Sequence, residues 1–251
     1  MSATYSLSHY KAISQVESEH FWFRARNNMI TTLINAFVPK HERRSFLEVG
    51  CGTGIVLYTM KTLGFDITGL DVNQTAIDYA QAKCPDAHLI RQSLYSFVSA
   101  KRFHAVGAFD VLEHQAQDGL FLKRCWELLE ENGTLFLTVP AGMWFWSPLD
   151  VLSGHKRRYE VVDLHDKLRK AGFHILFSNY WSVLTLPWYI LFRLYSARHT
   201  SASTLDEYLR TPNILFNTFL YYALRLEQTV FLKFRFFRGA TLVICAKKST
   251  S

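Results

Sequence analysis

The sequence predicts a doubly wound α/β fold, in which a mostly parallel sheet has helices on both faces. Short apolar runs alternate with helix-like stretches between residues 45 and 140, and glycines or capping residues separate them. The chain of 251 residues is long enough to bury one sizeable core. Strands that alternate with helices need right-handed crossovers, and these crossovers place helices over both faces of a parallel sheet.

Seven strand-like runs are predicted in chain order: Phe46–Val49, Asp66–Leu70, His88–Ile90, Ala105–Phe109, Thr134–Val139, Phe173–Phe177 and Ala240–Ala246. The helices predicted between them are Ile55–Leu63, a helix that starts after Asn73, Leu120–Glu130 and Val162–Ala171. Asn73 is a good N-cap, and Gly64 and Gly172 are typical of helix ends. We expect the third of these helices to end near Gly133.

Three segments are predicted: an N-terminal helical lid (1–44), the sheet core (45–179 and 240–251) and an insertion before the last strand (180–239). The insertion holds 15 of the 38 aromatic residues, and it has seven basic against three acidic residues. This shift in composition predicts two helices, joined by the polar stretch His199–Thr204.

The formal charge of +7 indicates either an acidic partner, such as nucleic acid or an anionic membrane surface, or an ordinary basic surface. Four scattered cysteines, Cys51, Cys84, Cys125 and Cys245, form no C-x-x-C pair, so we expect neither a metal site nor a disulfide framework. The start of the chain lacks the layout of a signal peptide. We therefore expect a cytoplasmic protein, with contact to a membrane surface as an extension of that hypothesis.

The stretch FLEVGCGTG (Phe46–Gly54) places three alternating glycines directly after a strand. In an open parallel sheet, ligands bind beyond the carboxyl ends of the strands. The spacing G-x-G-x-G lacks the third glycine of the dinucleotide motif, since position 55 is Ile, and no Gly-Lys-Ser/Thr follows for a P-loop. Asp71, at the end of the second strand, suits the ribose hydroxyls of an adenosine. These features alone do not separate NAD from other adenosine cofactors.

The fourth predicted strand ends in FDVLEH (Phe109–His114) and the fifth in Thr138–Pro140. With EVGCGTG and GLD before them, these motifs resemble those of the class I S-adenosylmethionine-dependent methyltransferases. The resemblance covers Phe46 to Ala141 well. It implies a Rossmann-like, mostly parallel seven-stranded sheet with S-adenosylmethionine as the cofactor, and it implies methyl transfer as the activity.

The resemblance places Glu48 near the methionine ammonium, Asp71 on the ribose and Val72 on the adenine. Ser93 stands where the family often has an acid that faces the adenine amine. The motif EHFWFRAR (Glu19–Arg26) is similar to one that precedes the core in some bacterial methyltransferases, where a lid helix covers the cofactor. The cofactor contacts implied in this way are Arg26, Glu48, Gly50, Cys51, Gly52, Gly54, Asp71, Val72, Ser93, Leu94, Asp110 and His114.

If the acceptor is a hydroxyl, a base is useful, and histidine suits neutral pH. His155 lies in GHKRRY (Gly154–Tyr159), on the ligand edge after the fifth strand. A loop histidine there is similar to the ubiquinone-pathway O-methyltransferases. The alternative is that His155 only orders its loop. Arg157 and Arg158 either bind an anionic acceptor or form an ordinary surface charge run.

The predicted function is methyl transfer to a hydroxyl of a small or lipid-like acceptor. The alternatives are a nucleic-acid (RNA) methyltransferase, for which we find no base-methylation motif, and a catalytically silent cofactor-binding protein. In the insertion, a helically spaced apolar set and the mixed segment Phe231–Arg238 suit a lipophilic acceptor or a bilayer interface. That set is Ile214, Leu215, Phe219, Tyr222 and Leu226. The alternative is a helical hairpin packed on the core.

Overall fold

The computed structural model describes residues 7–198 and 211–249 of the chain. Seven strands form one sheet in the order β3-β2-β1-β4-β5-β7-β6. The first five strands are parallel to one another, while β7 runs antiparallel to both β5 and β6. The predicted doubly wound, mostly parallel seven-stranded fold is confirmed.

The strands are β1 Ser45–Val49, β2 Asp66–Asp71, β3 His88–Arg91, β4 Phe103–Phe109, β5 Leu129–Pro140, β6 Phe173–Trp181 and β7 Thr241–Lys248. The described α-helices are α1 Leu7–Val16, α2 Phe21–Phe37, α3 Ile55–Thr62, α4 Gln74–Lys83, α5 Asp118–Leu128, α6 Pro148–Leu152, α7 Val161–Lys170, α8 Leu186–Arg198 and α9 Ile214–Phe231. Asn73 caps α4 through its side chain, as the sequence predicts.

Neighbouring residues of each strand point to opposite faces of the sheet, so the core has two halves. Phe46 belongs to one half, with Met29 of α2 and Leu224 of α9. Leu47 belongs to the other, with Leu122 of α5 and Leu164 of α7. The helices on the two faces are therefore held by adjacent side chains of the same central strands.

Three predicted boundaries are wrong, and one of them is the start of β5, which lies at Leu129 and not at Thr134. Helix α5 ends at Leu128, and not near Gly133, because the chain already pairs with β4 at Leu129, opposite Phe103. Strand β6 continues to Trp181, beyond the predicted end at Phe177, because it pairs with β7 as far as Thr241. Parts of the predicted segments lie outside the described residues, namely residues 1–6 of the lid, the stretch His199–Thr204 with the six residues after it, and the last two residues of the core.

The second insertion helix, α9, packs along α2. Asn217 accepts a hydrogen bond from the Phe21 amide (2.8 Å), and the Gln228 side chain donates one to the Ala25 carbonyl (2.6 Å). The helical spacing predicted for this part of the insertion is confirmed. Within the described residues, no helix combines the length and the apolar character needed to cross a membrane.

Candidate functional site

A cavity of about 520 Å³ lies at the carboxyl ends of β1, β2 and β4. Its volume is within the usual range for small-molecule sites. Of the twelve residues predicted to contact a cofactor, eleven line this cavity: Arg26, Glu48, Gly50, Cys51, Gly52, Asp71, Val72, Ser93, Leu94, Asp110 and His114. The three sequence motifs therefore converge on one space.

The glycine turn after β1 is built by backbone hydrogen bonds to β2. The amides of Gly50 and Cys51 both donate to the Leu70 carbonyl, at 2.7 and 3.0 Å. Gly50 and Gly52 have φ angles of +71° and +52°, a region that glycine adopts without a steric penalty. A Cβ at Gly50 would lie 2.6 Å from Val111, whereas a Cβ at Gly52 would meet no protein atom within 4 Å. Gly52 therefore keeps its space for a ligand, while Gly50 is also needed for packing.

Gly54 is not among the residues that line this cavity. It has a φ of +79° and is the N-cap of α3, and a Cβ there would lie 2.9 Å from Cα of Ala80 in α4. The third glycine of the motif thus lets α3 and α4 pack closely. This placement favours a packing role for Gly54, and its predicted contact with the cofactor stays a prediction.

Asp71 ends β2 with its carboxylate directed at the glycine turn. Oδ2 accepts from the Gly52 amide at 3.0 Å, and Oδ1 accepts from the Asn73 amide at 2.9 Å. Burial raises the pKa of Asp71, and these backbone hydrogen bonds oppose that rise. Each oxygen keeps further acceptor capacity, so the carboxylate can still receive hydroxyl donors from the cavity.

Glu48 is a buried residue near the end of β1, directly before the glycine turn. Burial raises its pKa to about 8, although the nearby charge of Arg26 lowers it. Its Oε2 atom has no hydrogen-bond partner among the described residues. A buried carboxyl oxygen without a partner is costly, which indicates that Glu48 is completed by a cationic or hydrogen-bonding group in the cavity.

The N-terminal helix α1 supplies one wall that the sequence pattern did not single out. Tyr10, Ile13 and Glu17 line the cavity. Glu17 is buried. It accepts a hydrogen bond from the Thr53 hydroxyl and forms an ion pair with Lys83. These contacts fix the end of α1 over the glycine turn. No sequence motif could reveal them, because they join residues that are far apart in the chain.

A second cavity, of about 260 Å³, adjoins the first. Four residues line both cavities, namely Ile13, Phe23, Arg26 and Asp110. Aromatic rings from α2 and α8 form much of the second cavity: Phe21, Trp22, Phe23, Trp188 and Tyr189. The polar groups in its lining include Glu113, His155 and Arg158. The site therefore has a larger compartment at the glycine turn and a smaller one with largely aromatic walls.

Arg26 and Asp110 form the junction between the two cavities. Nε of Arg26 lies 2.8 Å from Oδ2 of Asp110, and its Nη2 donates to the Phe109 carbonyl at 3.0 Å. Asp110 has a positive φ of 58°, which is uncommon outside glycine and marks a constrained position. The lid helix α2 is thereby tied to the end of β4.

His155 lies in the second cavity and is held by Asp150, which the sequence analysis did not identify. Nδ1 of His155 is 2.9 Å from Oδ1 of Asp150, so Nδ1 donates to this carboxylate, and in the neutral imidazole the lone pair then lies on Nε2. Burial raises the pKa of Asp150, but the hydrogen bond from His155 and the charges of Arg158 and Arg193 outweigh it and lower this pKa below its ordinary value. Asp150 therefore stays ionised and fixes the tautomer of the imidazole.

Glu113 is fully buried beside His155 and was not singled out either, although it belongs to the FDVLEH motif. Burial and the nearby Asp110 raise its pKa well above the ordinary value. Neither of its carboxyl oxygens has a hydrogen-bond partner among the described residues, and Oε1 lies 3.9 Å from Nε2 of His155. A buried carboxyl without a hydrogen-bond partner among the described residues thus lines the second cavity.

His114 lines the first cavity, and its ring stacks edge-on against His155 with centroids 4.9 Å apart. Burial lowers the pKa of His114 to about 4, and the neighbouring His155 contributes, so His114 is neutral at pH 7. Ligand atoms of Glu113, His114 and His155 all lie within 4.8 Å of one another. These three could in principle hold a metal ion, although the sequence predicts no metal site.

The two arginines of the GHKRRY loop are engaged within the protein. Arg157 forms an ion pair with Asp118 at 2.6 Å and lines neither cavity. Arg158 is buried and donates to Asp150 and to the Tyr189 hydroxyl, at 2.8 and 2.9 Å. These contacts favour the ordinary charge run over contact with an anionic acceptor for Arg157, and the main contacts of Arg158 are structural.

The family model described as a methyltransferase domain matches residues 21–178 of the chain. A probable S-adenosylmethionine-dependent methyltransferase of Mycobacterium tuberculosis is 24% identical over 174 residues, which are 68% of this chain and 62% of that protein. The ubiquinone biosynthesis O-methyltransferase of Bradyrhizobium diazoefficiens is 31% identical over 102 residues, 39% of this chain and 40% of that protein. The chain thus spans less than two thirds of either relative.

Among solved structures, the magnesium protoporphyrin IX methyltransferase of Synechocystis PCC 6803, which has S-adenosylhomocysteine bound, superposes with a TM-score of 0.58. The sequence identity is 13%, and the superposition covers 90% of this chain and 84% of that one. At this identity the likeness shows a shared fold and no shared substrate.

Proposed function

The chain belongs to the family of methyltransferase domains, and on that premise we propose that it transfers a methyl group from S-adenosylmethionine to a hydroxyl of a small or lipid-like acceptor. The match over residues 21–178 confirms the family that the sequence motifs predict. The observation that carries the proposal is the junction of two cavities at Arg26 and Asp110, with His155 in the smaller one.

The larger cavity fits S-adenosylmethionine. Gly52 leaves open the space that a Cβ would occupy, and Glu48 keeps a buried oxygen for the methionine ammonium. Asp71 would receive the ribose hydroxyls, and Val72 would lie on the adenine. The acidic groups Glu48, Asp71 and Asp110 also suit a cofactor with a positive charge. When bound, S-adenosylmethionine supplies an electrophilic methyl group on its sulfonium.

The second cavity would hold the acceptor. Its aromatic walls suit a flat or apolar molecule, and few polar groups would fix the orientation of that molecule. Holding two reactants in line is worth roughly 7–11 kcal/mol of the barrier. The O-methyltransferase with which this chain shares 31% identity supports oxygen as the acceptor atom, over the 39% of the chain that it covers.

His155 would act as the general base. Because Asp150 holds Nδ1, the lone pair of Nε2 is available to take the hydroxyl proton as the oxygen gains its methyl group. The negative charge of Asp150 is already balanced by its ion pairs with Arg158 and Arg193, so it adds little net charge to the site. The role of Asp150 would therefore be to orient the imidazole ring of His155. Burial raises the pKa of Glu113 and so favours its protonated form, in which Glu113 can donate a hydrogen bond to the acceptor.

The test uses S-adenosylmethionine labelled in its methyl group, with a bacterial lipid and metabolite extract as the source of acceptors. We expect label in one small or lipid-soluble product that retains it under conditions in which an ester would hydrolyse. The Asp71→Ala variant measures the background. Label that appears only in nuclease-sensitive material would instead support the nucleic-acid alternative. Cofactor binding without any transfer would support the silent-protein alternative.

A further inference from the structure

Helix α9 has an exposed apolar side in addition to its buried one. The outer α9 stripe consists of Ile214, Leu215, Phe219, Tyr222 and Leu226, and these side chains are between 64% and 81% exposed. Four of them recur at helical spacing from 215 to 226 and so lie along one line. The opposite side of the helix, which includes Leu220, Leu224 and Phe231, is buried against the protein core.

A helix that is apolar on two opposite sides is normally buried on both. The outer side of α7 shows the ordinary pattern, since Asp163, Asp166 and Lys170 face solvent there. The outer α9 stripe departs from this pattern and is as apolar as a protein interior. Exposed patches of this kind mark interaction sites.

Further exposed apolar side chains lie on α8 and in the segment after α9, and α8 contacts α9 through aromatic rings. The rings of Trp188 in α8 and Phe216 in α9 meet edge-on, with centroids 6.2 Å apart. The ring of Phe216 in turn stacks on Phe219 of the stripe, with centroids 6.4 Å apart. Leu191 and Leu194 of α8 are also exposed, at 67% and 57%. After α9, the exposed rings of Phe234 and Phe237 alternate with cations.

The exposed charged residues that α9 and the segment after it contribute are all basic. Four basic residues are exposed, namely Arg225, Lys233, Arg235 and Arg238. Within residues 182–198 and 211–239, both described, the one acidic residue is Glu227. Glu227 is buried and accepts hydrogen bonds from the amides of Val183 and Leu184, so it does not offset the exposed cations.

We propose that the outer α9 stripe and the segment Leu232–Arg238 form a docking surface for an anionic lipid bilayer. Apolar and aromatic side chains enter the boundary between headgroups and acyl chains, while arginine and lysine meet anionic headgroups. A second copy of this chain is a poorer occupant, because like cations would face one another across the interface. The helix lies on the bilayer, in keeping with its having too little apolar length to cross one.

This docking does not depend on methyl transfer, so it can fail or succeed independently of the proposed function. The two are linked through α8, which lines the second cavity with Trp188 and Tyr189 and exposes Leu191 and Leu194 on another side. If the proposed function holds, docking brings the aromatic cavity close to lipid-soluble acceptors.

The test is cosedimentation of the purified full chain with vesicles made of equal parts of phosphatidylglycerol and phosphatidylcholine, at low salt. We expect binding to these vesicles, and much weaker binding to phosphatidylcholine alone or at high salt. Replacing Lys233, Arg235 and Arg238 by Ser should lower the partition coefficient on the order of a hundredfold, since each cation near an anionic surface contributes about fivefold.

The matched control is a second triple variant, which removes three exposed cations elsewhere: Lys40→Ser, Lys101→Ser and Arg102→Ser. We expect it to bind the vesicles nearly as well as the parent protein does. An equal loss in both triple variants would mean that only total charge matters and would overturn the proposal.

The apolar contribution is tested by Phe219→Ser with Leu226→Ser. We expect weaker binding to anionic vesicles with an unchanged unfolding temperature, because both side chains are exposed. The matched control is Val98→Ser with Val162→Ser, two exposed valines that lie outside this surface. A parent protein that stays wholly in the supernatant at low salt overturns the proposal. So does a parent that is dimeric by light scattering and becomes monomeric through Phe219→Ser.

Discussion

Nδ1 of His155 lies 2.9 Å from Oδ1 of Asp150, and this contact leaves Nε2 directed toward Glu113 in the aromatic cavity. The imidazole is therefore fixed by a buried anion on one side and open to an acceptor on the other. The same two residues are joined by a backbone hydrogen bond, from the His155 amide to the Asp150 carbonyl at 2.8 Å. The geometry is that of an oriented base, and it also orders the loop.

Replacing His155 by Ala separates these two roles. If His155 is the base, turnover of the identified acceptor should fall by roughly 10²–10⁴, while the affinity for S-adenosylmethionine stays nearly unchanged. Turnover is measured with labelled cofactor, and affinity is measured by calorimetry. His174→Ala, at an exposed histidine outside both cavities, is the control. A variant that loses cofactor binding together with turnover would point to a loop-ordering role alone.

Asp71→Ala tests the cofactor assignment. Hydrogen bonds to a charged acceptor are worth about 1.5–3 kcal/mol, so the affinity for S-adenosylmethionine should fall at least tenfold. The variant also loses the acceptor for the Gly52 and Asn73 amides, which loosens the turn. Asp66→Ala, an exposed acid at the other end of the same strand, should leave the affinity unchanged. Equal affinities for both variants, measured by calorimetry, would contradict the assignment.

Glu48 makes cofactor binding depend on pH. Burial raises its pKa to about 8 in the free protein, so it is mostly protonated at pH 7. A bound ammonium and sulfonium favour the carboxylate, so binding should release close to one proton at pH 7. The affinity should therefore rise as the pH rises toward 8 and level off above it. Calorimetry in two buffers of different ionisation enthalpy counts the protons.

The control for this prediction is Glu48→Gln, which keeps the shape of the protonated side chain. Any titration of the cofactor itself is common to both proteins, so the difference between them isolates Glu48. The proton release that Glu48 contributes should disappear in the variant. The affinity of the variant for S-adenosylmethionine should also be lower. Identical proton release from the two proteins would show that Glu48 does not ionise on binding.

The motifs that the sequence revealed are local, whereas the parts that it missed are contacts across the chain. The glycine turn and Asp71 could be predicted because each needs a particular residue type directly after a strand. Asp150 could not, since its importance arises only when the loop after α6 and helix α8 bring Arg158 and Arg193 around it. Helix α5 was predicted too long for a similar reason. Pairing with β4 overrides helical spacing at Leu129.

The insertion shows the same difference between local pattern and contacts across the chain. Helical spacing identified the apolar set from Ile214 to Leu226, but spacing alone does not tell which side of a helix is buried. In the structure, Asn217 and Gln228 face α2 through hydrogen bonds, so polar residues lie on the packed side. The apolar set is left exposed as a result.

The last prediction concerns Gly52 and Gly54, which belong to one motif but differ in their surroundings. An alanine at either position must adopt a positive φ, which costs roughly 1–2 kcal/mol. At Gly54 the added Cβ also meets the Ala80 backbone at 2.9 Å, so Gly54→Ala should destabilise folding by roughly 2–5 kcal/mol in total. At Gly52 the Cβ meets no protein atom, so only the cost of the positive φ applies.

Gly52→Ala should instead act on the cofactor. Its Cβ would stand in the cavity beside Asp71, and the affinity for S-adenosylmethionine should fall at least tenfold while the free protein unfolds at a denaturant concentration only slightly below that of the parent. For Gly54→Ala the order is reversed, with a large loss of stability and a smaller loss of affinity in the fraction that folds. Urea unfolding and calorimetry on the same preparations measure both quantities. If the two variants lost stability and affinity in equal proportion, the separation between a ligand-facing glycine and a packing glycine would be wrong.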